Sequence, residues 1–194
     1  MNVQKALCSV LVVLFITAAL FVVSPFRAAR AADEATKVVI DMNEFHFIVE
    51  GGQPDAPITL KAGTLYDLTV KNTGQLPHEI WFGKDPKQGE DGDRLDGYQT
   101  NLLTNVPIAI IGGEPDTATG YEIDVSGLTE IEEGPGQSYT IEFTLPDSLK
   151  GNWEVGCFQP MPKAPIGSTP DATAAQMPDV PHYTVGMKAD LTVQ

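Results

Sequence analysis

Four side chains stand out for the metal chemistry their types allow: His78, Cys157, His182 and Met187. Cys157 opens the stretch GCFQPMPK, and the segment PHYTVGM places His182 and Met187 five residues apart. Between Cys157 and His182 lie 24 residues, Phe158 to Pro181, six of them prolines. His46 and the thioethers of Met42, Met161 and Met177 complete the set of candidate donors. Two imidazoles, one thiolate and a weak thioether make a trigonal donor set with an axial sulfur, the arrangement used by electron-transfer copper. The sulfurs favour Cu(I) and the imidazoles tolerate Cu(II), so one rigid set serves both oxidation states. A Cys₂His₂ zinc site is unavailable to the exported chain, and no helical His-x₃-His pair points to a hydrolytic metal.

Those donors must be exported to matter as read here. Ala6 to Phe26 is apolar apart from Ser9, Thr17, Ser24 and Pro25, and Ala29-Arg30-Ala31 offers a small-x-small cleavage pattern. Residues 1–32 are therefore expected to be a secretory signal, with an N-terminal membrane anchor as the alternative. Arg27 and Arg30 on the far side of the run favour cleavage. Cys8 lies in the leader, so the exported part, residues 33–194, holds Cys157 alone. A lone thiol in an oxidising compartment needs burial or metal ligation to protect it.

Without the leader the chain carries 9 basic against 26 acidic side chains. Such a chain is repelled by nucleic acid and by anionic membranes, and is steered towards a basic partner. About 160 residues suffice for one domain with a sizeable core.

The elements that would position the donors read as short strands. KVVIDMNEFHFIV is one bent strand or two, with Phe45 and Phe47 facing a core and His46 facing out. ITLKAGTLYDLTVKNTG reads as strand, turn and strand, with Tyr66, Leu68 and Val70 on one face. LPHEIWFG is a further strand beginning near His78. GPGQSYTIEFTLP turns Tyr139, Ile141, Phe143 and Leu145 inward, and GNWEVGCF and MKADLTV supply two more strands. Trp81 and Trp153 are expected as core aromatics near the site, and Met42 as packing. Short strands with Gly/Pro turns and no 3.6-residue period predict an all-β sandwich. Two segments interrupt it: an acidic insertion over about 84–133, whose apolar NLLTNVPIAIIGG should pack onto the sandwich, and the Pro-rich insertion 158–181.

With these pieces in order the chain resembles a cupredoxin, the blue-copper family that includes azurin, plastocyanin, auracyanin and sulfocyanin. The resemblance rests on EFHF, on ITLKAGTLYDLTVKNTGQLPHEIWFG, on LTEIEEGPGQSYTIEFTLPDSLKGNWEVGCFQP and on HYTVGMKADLTV, which together span most of the exported chain. It implies a Greek-key β-sandwich holding one type 1 copper ion. His78 then corresponds to the early histidine ligand, Cys157 to the thiolate, His182 to the second imidazole and Met187 to the axial sulfur. Two departures stand out. Glu79 occupies the place where many members carry an asparagine that ties the two ligand segments together. The second histidine usually follows the cysteine closely, whereas here 24 residues intervene.

The resemblance implies a monomeric, non-enzymatic carrier of single electrons in the periplasm or on the outer face of the cytoplasmic membrane. Its partners would be a basic redox protein, such as a c-type cytochrome, or a membrane electron-transfer complex. The alternative is a copper chaperone or sequestering protein that uses Met161 and Met177 to hold Cu(I); as the bland reading, those methionines fill gaps in the loop. Copper oxidases need further histidine-rich sites, and the chain has three histidines in all.

Overall fold

The computed structural model describes residues 34–90, 92, 94–113, 128–164 and 179–194. The leader and its candidate cleavage site lie outside these residues. Among the described residues no helix is long and apolar enough to cross a membrane.

The architecture is the expected all-β sandwich, with eleven strands in two sheets among the described residues. In chain order they are β1 (Thr36–Asn43), β2 (His46–Val49), β3 (Ile58–Leu60), β4 (Leu65–Asn72), β5 (His78–Gln88), β6 (Leu95–Asn101), β7 (Ile108–Gly112), β8 (Glu130–Glu133), β9 (Ser138–Thr144), β10 (Gly151–Gly156) and β11 (Lys188–Val193). One sheet runs β2-β1-β4-β9-β7, and the other β3-β11-β10-β5-β6, with β8 also paired to β5. Each is mixed: β1 and β4 pair in parallel, as do β11 and β3.

Period-two alternation decides which side chains enter the core. In β4, Tyr66, Leu68 and Val70 are buried, and in β9 so are Tyr139, Ile141 and Phe143. They meet Ile80, Phe82, Val155 and Leu191 from the other sheet in one continuous cluster. Each such side chain contributes about 1.5–3 kcal/mol of burial, which pins strand register because a one-residue slip would expose the whole face.

The described part of the acidic segment is built into the two sheets. Its start extends β5 to Gln88, and it supplies β6, β7 and β8. Leu102, Leu103 and Val106 enter the core, as the apolar stretch requires. Most of GYEIDVSGL, a candidate strand, lies outside the described residues. The reason for the difference is pairing: β6 folds back on β5 as a hairpin, while β7 adds to β9 and β8 to β5 across long stretches of sequence.

The topology also brings three chain ends together. β10 lies between β5 and β11 and is antiparallel to both, with Gly156 opposite Trp81 on one side and Lys188 on the other. The end of β10 therefore adjoins the starts of β5 and β11. Cys157 follows β10, His78 opens β5, and Met187 precedes β11.

Candidate metal centre

His78, Cys157 and His182 converge, their donor atoms all within 4.8 Å of one another. Nδ1 of His78 lies 3.2 Å from Nδ1 of His182, and Cys157 Sγ lies 3.9 Å and 3.4 Å from those two atoms. A point equidistant from all three donors is about 2 Å from each, an ordinary metal–ligand bond length for imidazole and slightly short for thiolate. His78 and Cys157 are fully buried, His182 is 1% exposed, and Met187 is fully buried beside them in sequence and fold. The donor set and its spacing fit a copper ion.

The backbone laces this site to itself. Tyr183 N–H donates to Cys157 O at 2.6 Å, Cys157 N–H to Met187 O at 3.2 Å, and Met187 N–H to His182 O at 3.1 Å. His182 starts a one-turn 3-10 helix, His182–Val185, which ends on Gly186. Gly186 has φ 117°, a conformation that favours glycine, and it turns the chain so that Met187 points back inside. Before His78, buried Asn72 donates to Leu76 O at 2.8 Å and to Glu133 O at 2.9 Å, which fixes the approach to the histidine.

Glu79 restores the link that the missing asparagine put in question. Its backbone N–H donates to Cys157 Sγ at 3.4 Å. Its carboxyl accepts from Phe158 N–H at 2.8 Å and from Gln159 Nε2 at 3.3 Å. Burial, and then the charges of Glu130 and Glu132, push Glu79 up to about 8, with the Phe158 amide opposing.

Burial governs the donors too. It depresses His78 to about 4 against the attraction of Glu44, and His182 to about 4 with help from His78. Both imidazoles are then neutral near pH 7, as metal ligation requires. Burial, and then Glu79, push the Cys157 thiol well above its ordinary range, so a metal would displace its proton.

Of the other candidates, His46 is exposed and its Nδ1 pairs with Asp55 at 2.7 Å, away from the site. Met42 is fully buried in the core, as expected. Met161 is half-buried, its N–H bonded to Val180 O, and Met177 lies outside the described residues. Trp153 packs against the core and donates to Leu149 O at 2.8 Å. Trp81 instead joins a second cluster with Tyr98, Phe158 and Tyr183. There Phe158 and Tyr183 stack at 4.8 Å, and both tyrosine hydroxyls donate to Glu154 Oε1, at 2.7 and 2.6 Å.

Phe45 packs against the core as expected, and does more. It lies in the turn between β1 and β2 with φ 63°, and its ring also meets His182 edge-on at 5.1 Å, a contact strand alternation does not foresee. That backbone region costs a bulky residue roughly 1–2 kcal/mol. Period-two reading could not find that contact, because the turn breaks the period.

No protein-family model and no curated protein matches the sequence. Among solved structures, the chain is similar to reduced auracyanin from the photosynthetic bacterium Roseiflexus castenholzii, at 22% identity and TM-score 0.42, over 84% of this chain and 99% of that one. Auracyanin B matches at 16% identity and TM-score 0.42, over 84% and 91%. A multicopper oxidase from Campylobacter jejuni matches at 12% identity and TM-score 0.42, over 84% of this chain and 31% of that one. These are distant likenesses, and the reading below rests on the site's own donors.

Proposed function

We propose that the protein is an exported blue copper protein that carries single electrons between redox partners, with one ion held by His78, Cys157, His182 and Met187. The observation that carries this reading is the buried triangle of two Nδ1 atoms and one Sγ, with sides of 3.2, 3.4 and 3.9 Å. Bound copper would supply a one-electron couple.

The chain's own residues set the conditions for fast transfer. His78 opens β5, Cys157 and Met187 adjoin the ends of β10 and β11, and backbone bonds tie His182 to both segments, so neither oxidation state demands much movement. The amide of Glu79 faces the sulfur and favours its thiolate form. Burial excludes water from the donors and reduces the solvent rearrangement that follows a change of charge. The acidic surface favours a basic redox partner, such as a c-type cytochrome, docked weakly and sensitively to salt.

Voltammetry of the copper-loaded protein tests the function. A carrier gives a reversible one-electron wave and keeps its metal through repeated cycles. Tight Cu(I) binding with no stable Cu(II) form would overturn this reading in favour of a copper chaperone.

A further inference from the structure

We propose that Phe45 is a positioning residue of the site: its ring holds the His182 imidazole in place and closes its outer edge to small ligands. The inference rests on the metal-centre reading above and concerns a residue outside the donor set.

Three observations meet at this turn. The pair Asn43↔His46 leaves Glu44 and Phe45 as a two-residue hairpin loop. Such loops favour Gly, Asn or Asp because they need left-handed backbone, yet Phe45 sits there at φ 63°. An outlier of this kind persists where its surroundings hold it, and two contacts do so: the ring packs against the core and meets His182 edge-on at 5.1 Å.

The second observation is the burial of His182 itself. The next turn of chain is at the surface, with Thr184, Val185 and Gly186 exposed, but His182 is 1% exposed. Phe45 packs on its ring from one side and His78 from another, the latter at 5.0 Å between centroids.

The third is that the same turn reaches the other histidine segment. The Glu44 carboxylate accepts the N–H of Gln75, three residues before His78. Asn43 Nδ2 reaches Thr73 Oγ1 at 3.4 Å, and Thr73 N–H donates to Met42 O at 3.0 Å. Gly74 permits the approach: a Cβ there would lie 2.6 Å from Glu44 Oε1 and 3.1 Å from His78 Nε2. One two-residue turn thus touches the segment leading to His78 through Glu44, and His182 through Phe45.

The test compares Phe45→Gly, Phe45→Ala and Phe45→Leu with the wild type in two measurements. In metal-free protein, NMR follows solvent exchange of the His182 ring N–H. In copper-loaded protein, azide is titrated while the visible spectrum is recorded. Removing the ring should speed exchange and strengthen azide binding by about tenfold or more, the scale seen when a group supporting a metal ligand is lost. Leucine should fall between. Glycine suits the left-handed turn and offsets part of the ring's lost core packing, so Phe45→Gly should lose less thermal stability than Phe45→Ala while opening the site equally, which separates access from folding. Unchanged exchange and azide binding in both the glycine and alanine variants would overturn the proposal. If the wild type forms no coloured copper complex, the metal reading fails, and ring N–H exchange in the metal-free protein still decides the role of Phe45.

Discussion

Glu79 joins the strand that starts at His78 to the segment that follows Cys157, through both its backbone and its side chain. The N–H faces the sulfur, and the carboxyl takes the Phe158 amide at 2.8 Å. Glu79→Gln keeps an acceptor of the same reach, so copper binding and stability should stay near wild type. Glu79→Ala leaves a buried amide without its partner and should cost about 1–3 kcal/mol in urea unfolding, with a shifted visible spectrum. Equal behaviour of the two variants would count against the link. The grouping of His78, Cys157 and His182 was legible in the sequence because residue type limits the choice: one cysteine beyond the first 33 residues and three histidines. Glu79 was not legible as a tie, since its role depends on an amide 79 residues further along the chain. Strand alternation gave Phe45 its core-facing side but not its contact with His182, because the turn breaks the period.

The Pro-rich insertion is closed at its base. His182 N–H donates to Gln159 O at 2.8 Å and Met161 N–H to Val180 O at 2.7 Å, around a bridge between Pro160 and Pro181. Lys163 pairs with Asp179 at 2.6 Å just beyond. The chain thus returns to the Cys157 segment before His182 begins. Replacing residues 164–178 with a short Gly/Asn turn should preserve the copper colour and alter electron-transfer rates with partners, as followed by stopped-flow mixing. Loss of copper binding in that variant would mean that the excised segment belongs to the site. The strands flanking the donors could be read from local alternation, as Tyr66, Leu68 and Val70 illustrate. β7 and β8 could not, because their pairing with β9 and β5 joins residues distant in sequence.

At the scale of the molecule, two buried carboxyls among the described residues hold their protons above the usual carboxylate range, Glu79 beside the site and Glu133 in the core. Glu133 is fully buried opposite His78 on β5, and burial pushes it up to about 9, the amides of Tyr139 and Asn72 opposing only in part. The folded protein keeps this proton over a range in which the unfolded chain releases it, so stability falls as pH rises from about 4.5 to about 9. Glu133→Gln should match wild type near pH 5 and be more stable near pH 9, measured by urea midpoints of metal-free protein. Identical midpoints at both pH values would contradict the assignment. His78 and His182 act in the opposite direction: depressed from 6.5 to about 4, each withdraws stability as pH falls through that interval. The strongest single test of the account joins fold to chemistry. Metal-free wild type and Cys157→Ser are titrated with Cu(II) while the visible absorption is followed. The account predicts an intense thiolate-to-copper band in the wild type that saturates at about one equivalent, and no such band in Cys157→Ser. A colourless wild type, or a serine variant that keeps the band, would contradict it.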